Sequence, residues 1–228
     1  MENITLIIPA KEEPSALPMV LDEIKKKNLS FKILVIIHKT DINTYEAIKR
    51  YDCEVLFQTQ RGYGNAIIEG INHSKTKYSC IFYADGSTDP IHVNQMLKKL
   101  ENQNLDLIFG SRYEKNANSF DDDIITRLGN YVFTFLGNFL MKLNISDILF
   151  TYIFAKTECF KKMNLVSNDF CLCIEIPYKA KVFGLNYSTV PCIERKRFAD
   201  KKKVKAFSDG FKILKYLFSK YLNIINTK

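Results

Sequence analysis

The sequence predicts an α/β fold with a mainly parallel sheet flanked by helices, and two observations support this prediction. Short, nearly continuous apolar segments alternate with amphipathic segments through the first half of the chain. Strands that are buried on both faces are apolar throughout, and parallel strands are joined by helices that cross over between them. A length of 228 residues is sufficient for one such domain with a substantial core. We therefore expect a single α/β domain.

The alternation places the elements in order along the chain. The strand ITLIIPA comes first, followed by the helix SALPMVLDEIKKK, the strand FKILVII and the helix NTYEAIKRY. The strand CEVLFQ, the helix GNAIIEGINHS, the strand YSCIFYA, the helix IHVNQMLKKLEN and the strand LDLIFGS continue the same pattern. Ligands of such sheets bind beyond the carboxyl ends of the strands. Four strand ends are therefore candidate site positions: 9–13, 38–41, 83–89 and 110–112.

The pattern changes in the second half of the chain. An acidic loop at 121–123 precedes RLGNYVFTFLGNFLMKLN, which predicts a long apolar and aromatic helix, and FKILKYLFSKYLNII predicts a second amphipathic helix near the C-terminus. Polar residues interrupt both segments, so neither has the ~20 apolar residues of a membrane span. Each could lie in a membrane interface with basic flanks or pack in the core. The sequence leaves both alternatives open.

Composition restricts the class of protein. Aliphatic, aromatic and cysteine residues make up 46% of the chain and charged residues 25%, which is the composition of a folded protein and not of a disordered one. The six cysteines lie mostly in apolar segments and include no C-x-x-C pair, a pattern typical of reduced thiols in a cytoplasmic protein. The first residues, MENITLIIPA, lack the basic and long apolar regions of a signal peptide. We expect a cytoplasmic protein.

The positive charge is concentrated in one segment. The formal net charge is +8, and seven of the eleven residues from Arg195 to Lys205 are Lys or Arg. So many like charges close together predict an anion between them. Candidate anions are a nucleotide diphosphate, a lipid phosphate, an anionic membrane surface and nucleic acid. A solvated loop is the alternative interpretation of such a run.

Several motifs follow one another in an order that resembles family 2 glycosyltransferases with the GT-A fold. They are IIPAKEEPSALP, QRGYGNAIIEGI, IFYADGSTDP, IFGSRY, RLGNYVFTFLGNFLMKLNISD, KAKVFGLNYSTVP and KVKAFSDGFKILKYL. Each motif is weak alone, but their order and spacing are most similar to the dolichol-phosphate mannose synthase-like branch. The resemblance implies a GT-A fold, a UDP- or GDP-linked sugar as donor, and Mg²⁺ or Mn²⁺ as cofactor. It also makes nucleic acid the least favoured partner of the basic segment.

The resemblance implies that the loop IFYADGSTDP holds the cation. Asp85 matches the second acid of the family's Asp-x-Asp motif, whereas Tyr83 stands where the first acid is expected. Ser87 falls where related enzymes offer a side-chain oxygen, and hard cations prefer oxygen ligands. Asp85 and Ser87 are therefore the predicted metal ligands. Asp89, before Pro90, is predicted to cap the following helix.

Other strand-end residues are predicted to bind the donor. Glu13 matches an acid of the family's first loop, although it could equally stabilise a helix N-terminus, and Asp41 replaces the acids that follow the second strand. Gly62 and Gly64 could let the backbone approach the nucleotide or could form an ordinary turn. Arg112 is predicted to clamp a phosphate with two parallel hydrogen bonds, with a surface salt bridge as the alternative. The complete donor set is Pro9, Ala10, Glu13, Asp41, Gly62, Gly64, Ala84, Asp85 and Arg112.

An acceptor site is also implied by the resemblance. Asp147 falls near the reacting sugar, although Phe150 and Thr151 replace the small residues that usually follow it. A lipid phosphate is already ionised and needs no general base, whereas a sugar hydroxyl would require one, and Asp147 is the candidate. The predicted catalytic residues are Asp85, Arg112 and Asp147. The cations predicted to bind the acceptor phosphate are Arg127, Arg195, Arg197 and Lys203.

These assignments divide the domain, 1–228, into a nucleotide-sugar-binding half at 1–115 and an acceptor half at 116–228. The expected activity is transfer of a sugar from a nucleotide donor to a dolichyl- or undecaprenyl-type polyprenyl phosphate. The protein is expected to act peripherally at the cytoplasmic face of a membrane. Two alternatives remain: transfer to a soluble or glycan hydroxyl, and a non-catalytic homologue that only binds the nucleotide sugar, for which Tyr83 and the loop HKTD argue.

Overall fold

The computed structural model describes residues 3–27, 29–199 and 206–226, so the predicted phosphate ligand Lys203 lies outside the described residues. The strands are β1 (Ile4–Ala10), β2 (Lys32–His38), β3 (Glu54–Gln58), β4 (Tyr78–Ile81), β5 (Leu107–Ser111), β6 (Asn118–Ser119), β7 (Ile153–Lys156), β8 (Tyr187–Pro191) and β9 (Ile193–Glu194). The helices are α1 (Ala16–Lys26), α2 (Ile42–Ile48), α3 (Tyr63–His73), α4 (Ile91–Asn102), α5 (Ile124–Met141), α6 (Thr157–Lys162), α7 (Leu172–Val182) and α8 (Ala206–Asn226).

A mainly parallel sheet confirms the predicted fold class. Its strand order is β3-β2-β1-β4-β7-β5-β8, and β7 runs antiparallel to both neighbours while the other pairs are parallel. The strands β6 and β9 form a separate parallel pair. The chain passes from β1 outward to β2 and β3 and then returns to β4 on the other side of β1. Ligands of open α/β sheets bind at such a switch point, outside the carboxyl ends of the strands.

The strand β1 lies between two apolar cores, one on each face of the sheet. Ile7 packs in one core with residues of α3, α6 and α7, whereas Leu6 and Ile8 pack in the other with residues of α1 and α4. All three side chains are fully buried. Helices therefore cover both faces, which explains why these strands are apolar throughout instead of alternating between apolar and polar residues.

Strands from both predicted halves contribute to the main sheet. β7 and β8, which follow residue 115, pair with β4 and β5, which precede it. The strand β7 was not predicted, because a four-residue strand inside the apolar stretch ILFTYIFA has no periodicity of its own. The assignment of separate donor and acceptor roles to the two halves stays a prediction.

Two element boundaries differ from those predicted, and local hydrogen bonds explain both. β4 was expected to continue to Ala84, but the Tyr83 N–H donates to the Thr88 hydroxyl at 3.4 Å and so belongs to the loop. The long helix α5 begins at Ile124, before the expected start at Arg127. The Asp123 carboxylate caps it by accepting the Thr126 N–H at 2.7 Å.

Helix α5 exposes many of its large apolar side chains, and most of its fully buried residues are small or polar. Its buried residues are Asn130, Thr134, Gly137 and Met141. This face is held by specific contacts: Thr134 Oγ1 accepts the Ile148 N–H at 3.1 Å, and a Cβ on Gly137 would lie 2.3 Å from the Ile148 side chain. The outward face carries seven large apolar side chains that we call the apolar ridge: Ile124, Ile125, Leu128, Tyr131, Val132, Phe135 and Phe139.

The C-terminal helix α8 packs against α5 and extends the exposed apolar surface. It buries Ile213 and Leu217 but exposes Phe211, Phe218 and Leu222. Each helix thus packs on the domain with one face, as the core alternative predicted, and presents apolar side chains to solvent with the other, while membrane contact stays a prediction. Within the described part of the chain, no helix has the length and apolar character needed to cross a bilayer.

Candidate active site

The loop after β4 brings the two predicted metal ligands together at the switch point. Asp85 is 7% exposed; its Oδ1 accepts the Ser87 N–H at 2.9 Å, and its Oδ2 lies 2.6 Å from Nη1 of Arg197. The Ser87 hydroxyl oxygen is buried and has no hydrogen-bond partner among the residues that the structure describes. A buried oxygen of this kind is a candidate for a ligand contact, because an unsatisfied polar group in the protein interior is costly.

The oxygen atoms of this loop fit a cation that is shared with a donor diphosphate. No group of three or more His, Cys, Asp or Glu side chains that could hold a metal occurs among the described residues. Asp85 is a carboxylate and Ser87 an adjacent neutral oxygen, and Mg²⁺ is commonly held by one or two carboxylates together with substrate phosphates. The residues therefore fit a site that the donor completes, with Asp85 and Ser87 as the ligands from the protein.

Tyr83, which stands in place of the first motif acid, has a structural role. Its hydroxyl oxygen accepts the Thr151 N–H at 3.0 Å and lies 3.0 Å from Thr151 Oγ1, while its ring packs edge-on against Phe150. Burial raises the pKa of Tyr83 well above its ordinary value, so the phenol stays neutral. In the sequence, Tyr83, Phe150 and Thr151 are separate departures from the family pattern. In the structure these three residues contact one another.

Arg112 and Asp147 form a buried ion pair, which differs from the separate roles predicted for them. Arg112 donates from Nε to Asp147 Oδ2 at 2.7 Å and from Nη2 to Asp147 Oδ1 at 3.0 Å. Its Nη1 lies 3.3 Å from Glu194 and 3.4 Å from Asp122. The alternative of a surface salt bridge is wrong, since Arg112 is only 7% exposed. A donor phosphate would have to displace one of these carboxylates, and the phosphate clamp stays a prediction.

The network around Arg112 includes two acids, Glu194 and Asp122, that were not predicted as site residues. Burial raises the pKa of Glu194, although Arg112 and the Ser119 hydroxyl, which donates to Glu194, oppose the increase. Burial alone would lower the pKa of Arg112, but Asp147 and Glu194 outweigh it and raise that pKa, so the guanidinium stays charged. Asp122 belongs to the acidic loop 121–123, and this cluster of acids is the sequence feature that could have identified it as a site residue.

The predicted donor residues after β1 and β2 lie next to one another. Asp41 caps α2 by accepting the Thr44 N–H at 3.3 Å, and its Oδ2 also accepts the Glu12 N–H at 2.6 Å. Glu13 is buried and donates its backbone N–H to Thr44 Oγ1 at 2.9 Å. These contacts tie the β1 loop to the start of α2. Of the remaining members of the donor set, Pro9 and Ala10 end β1, and Ala84 lies in the loop that follows β4.

Gly62 and Gly64 are required by the chain's own packing. Gly62 has φ +136°, and a Cβ there would lie 2.1 Å from the Asn168 carbonyl oxygen. A Cβ on Gly64 would lie 2.0 Å from the Ser167 carbonyl oxygen. The backbone that approaches these glycines is therefore the segment 167–168. The sequence left a nucleotide contact or an ordinary turn as alternatives, and the nucleotide contact stays a prediction.

The predicted phosphate-binding cations have partners within the chain. Arg195 donates two parallel hydrogen bonds to Glu23 at 2.8 and 2.9 Å and two more to backbone carbonyls of Gly86 and Thr88. Arg197 pairs with Asp85. Carboxylates from distant parts of the chain neutralise both residues, so the expectation that they need an external anion is wrong, whereas their binding of an acceptor phosphate stays a prediction. Arg127 is exposed and donates to Asn118 and Ser119 near the start of α5.

The Arg195–Glu23 pair predicts an acid-sensitive contribution to stability. Burial would raise the pKa of Glu23, but hydrogen bonds from Arg195 and Lys27 outweigh it and hold the pKa below its ordinary value of 4.5. Such a carboxylate stabilises the native state above its ordinary pKa and loses this effect as the pH falls through the folded value. We expect Arg195→Gln to lower the free energy of unfolding near neutral pH by about 1–3 kcal/mol.

Urea denaturation measured near neutral pH and again well below pH 4.5 checks this expectation, since the difference should shrink in acid. Lys196→Gln removes an exposed charge from the adjacent position and serves as the control. A cost of Arg195→Gln that is equal at both pH values would contradict the role of the Glu23 carboxylate.

Among known proteins, two glycosyltransferases illustrate what this chain is similar to in sequence. The dolichyl-phosphate beta-glucosyltransferase of Dictyostelium discoideum is 29% identical over 178 residues, which are 69% of this chain and 50% of the relative. An uncharacterized glycosyltransferase of Mycobacterium tuberculosis is 26% identical over 111 residues, which are 49% of each chain. The chain thus spans about half the length of the curated relatives that it matches.

Solved structures share the fold over almost the entire chain. The mannosyl-3-phosphoglycerate synthase of Rubrobacter xylanophilus superposes with a TM-score of 0.76 at 16% identity, covering 99% of this chain and 75% of that one. A glucosyl-3-phosphoglycerate synthase of Mycobacterium tuberculosis, crystallised with Mn²⁺, UDP and glucosyl-3-phosphoglycerate, gives 0.75 at 15% identity, with coverages of 96% and 80%. At such identities the likeness is one of fold, and it confirms the GT-A architecture.

A family model described as Glycosyl transferase family 2 matches residues 5–163, more than half of the chain. The match includes the strands β1 to β5 and the loops that carry Asp85 and Arg112. It confirms the family that the order of the motifs predicted. The chain therefore belongs to glycosyl transferase family 2.

Proposed function

We propose that the protein transfers a sugar from a nucleotide-sugar donor to a polyprenyl phosphate at a membrane surface. The observation that carries this proposal is the apolar ridge on α5, together with the exposed apolar side chains of α8. Contiguous exposed apolar surface of this kind marks an interaction site, and an amphipathic helix can lie in a membrane interface with its apolar face in the acyl region. A lipid-linked acceptor has to be reached at that interface.

The charge next to the ridge fits an anionic membrane surface. Arg127 on α5 and Lys212 and Lys215 on α8 are exposed. Acidic lipids of a cytoplasmic leaflet attract such residues by about 1 kcal/mol for each charge near the surface. The Dictyostelium relative, whose name specifies a dolichyl-phosphate acceptor, supports the same class of acceptor. We therefore place the protein peripherally at the cytoplasmic face of a membrane.

Transfer to a phosphate acceptor requires little proton chemistry. A phosphate oxygen forms the bond to the anomeric carbon, the bond from that carbon to the diphosphate oxygen breaks, and the nucleoside diphosphate leaves with the electron pair. The acceptor phosphate is ionised near neutral pH, so no general base is needed. This agrees with the burial of Asp147 against Arg112, which leaves that carboxylate as a positioning group.

Asp85 and Ser87 would hold a divalent cation against the donor diphosphate. The bound cation would supply positive charge to the leaving diphosphate. The crystallised mycobacterial synthase, with its Mn²⁺ and UDP, supports a uridine nucleotide and Mn²⁺ as the first combination to test. Glu13 and Asp41 lie at the neighbouring strand ends, and we assign them to the nucleoside part of the donor.

A transfer assay tests this function. The protein is incubated with radiolabelled UDP- or GDP-sugars and Mn²⁺, with polyprenyl phosphate in anionic vesicles, with 3-phosphoglycerate in solution, or with no acceptor. We expect label in the lipid fraction, and loss of transfer with EDTA. Transfer to the soluble acceptor alone would favour the soluble-acceptor alternative. Binding of UDP with Mn²⁺ but no turnover with any acceptor would identify a non-catalytic homologue.

The apolar ridge predicts a variant that separates membrane binding from folding. Phe135 and Phe139 are 67% and 71% exposed, so the double change Phe135→Ser, Phe139→Ser should leave the free energy of unfolding nearly unchanged. It should weaken binding to anionic vesicles by about tenfold or more, because apolar side chains leave the interface. Co-sedimentation with vesicles measures the effect. Val166→Ser, at an equally exposed apolar position outside α5, is the matched control, and equal binding of the two variants would count against the ridge.

A further inference from the structure

The guanidinium of Arg197 forms an ion pair with the same carboxylate that is proposed to bind the cation. Its Nη1 lies 2.6 Å from Asp85 Oδ2, and the two side chains are 20% and 10% exposed. Its Nε lies 3.5 Å from Asp121 Oδ2. This is a largely buried pair, and such pairs are screened by salt much less than surface pairs are.

Backbone hydrogen bonds on both sides of Arg197 hold it in this position. The Arg195 N–H donates to the Ser87 carbonyl at 2.7 Å, and the Phe198 N–H donates to the Asp85 carbonyl at 2.9 Å. The Phe198 ring packs over Gly86, where a Cβ would approach the ring to 2.4 Å. The segment 195–198 therefore runs along the metal loop, and the contact of Arg197 with Asp85 follows from the backbone arrangement.

We propose that Arg197 is an internal counter-ion of Asp85 that the donor-bound cation displaces, which frees the guanidinium for an acceptor phosphate. The proposal rests on the proposed function for the identity of the two ligands. One carboxylate oxygen cannot bind a guanidinium and a divalent cation at full strength together, since the two positive charges repel each other. Binding of the cation with its diphosphate and release of Arg197 are therefore coupled.

This coupling implies an order of binding. Before the donor arrives, Arg197 is neutralised by Asp85 and attracts a phosphate only weakly. After the cation takes Asp85, the guanidinium keeps the longer contact of its Nε with Asp121 but loses the close partner of its Nη1, which can then form a charge-assisted hydrogen bond to a phosphate. The acceptor phosphate should thus bind more tightly to the donor complex than to the free protein, and the free energy of coupling must be the same in both directions.

The first experiment measures Mn²⁺ binding to the whole chain by electron paramagnetic resonance, without any acceptor. Arg197→Gln should bind Mn²⁺ together with UDP about tenfold more tightly than the parent, because the competing cation is gone. Lys196→Gln removes the same charge from an exposed neighbouring position and should match the parent. Equal or weaker Mn²⁺ affinity in Arg197→Gln than in Lys196→Gln would overturn the proposal.

The second experiment measures binding of farnesyl phosphate, a short polyprenyl phosphate, by calorimetry with and without Mn²⁺ and UDP. The parent should bind it more tightly in the presence of the donor pair, and Arg197→Gln should lose this gain. A parent affinity that does not respond to Mn²⁺ and UDP would overturn the proposed order. The Mn²⁺ result does not depend on the acceptor, so failure of the polyprenyl-phosphate function would leave the first experiment decisive.

A second variant loosens Arg197 without removing it. Phe198→Ala takes away the ring that packs over Gly86, and should raise the Mn²⁺ affinity in the same direction as Arg197→Gln but by less. It serves as the test if Arg197→Gln does not fold. Unchanged Mn²⁺ affinity in a folded Phe198→Ala protein, with Arg197→Gln unfolded, would also overturn the proposal.

Discussion

Replacement of Arg112 by alanine is expected to lower the free energy of unfolding by about 3–5 kcal/mol, the cost of removing one partner from a buried ion pair. The change leaves Asp147 and Glu194 buried without their counter-ion. Urea denaturation near pH 7 measures the loss. The loss should be smaller in mildly acidic solution, because burial raises the pKa of Glu194 and this carboxylate can then take up a proton.

Arg127→Ala is the matched control for this prediction. Arg127 is exposed, and its loss should change the free energy of unfolding by no more than about 0.5 kcal/mol. A folded Arg112→Ala protein of near-parental stability that binds nucleoside diphosphate more weakly would instead support the phosphate clamp predicted from the sequence. The two roles of Arg112 are thereby distinguished by one variant and two measurements.

Asp85→Asn is expected to lower kcat/KM for sugar transfer by about 10²–10³, the usual effect of removing one group that stabilises developing charge. Asparagine keeps the shape of the side chain, including an oxygen for the Ser87 N–H, but lacks the negative charge that attracts the cation. Calorimetry should show that UDP binding no longer depends on Mn²⁺.

Asp89→Asn controls for the loss of a carboxylate from the same loop. Asp89 pairs with Lys27, and its Oδ1 accepts the Ile91 N–H at 3.0 Å, so it supports the start of α4. This variant should retain Mn²⁺-dependent UDP binding. If Asp85→Asn also retained it, the cation would have to be held elsewhere.

The order of elements up to β5 could be predicted from the sequence because each strand and helix there has its own local pattern. The antiparallel strand β7 could not, since its pairing with β4 and β5 is a tertiary event that leaves no mark on IFAK itself. The exposed apolar ridge on α5 could not be predicted from the sequence either. The segment of α5 is apolar enough for a core helix, and only its packing through Thr134 and Gly137 shows which face is turned outward.

The position of Asp85 could be predicted because a motif marks it, but its partner could not. Arg197 lies far from Asp85 in sequence, and a cluster of basic residues carries no signal for the carboxylate that will neutralise it. The same holds for Arg112 and Asp147, which were predicted as separate functional groups and form one ion pair. Motifs identify candidate groups, whereas charge pairing depends on tertiary contacts.

The insertion of β7 between β4 and β5 has a consequence for how the protein unfolds. β7 supplies backbone partners to one strand that carries the metal loop and to another that leads to Arg112. Removal of the second half would leave β4 with one open edge and would separate β5 from the rest of the sheet. Such open edges pair readily with other chains. The two halves are therefore interlocked, and we expect them to unfold as one cooperative unit, so neither half is a suitable fragment for separate expression.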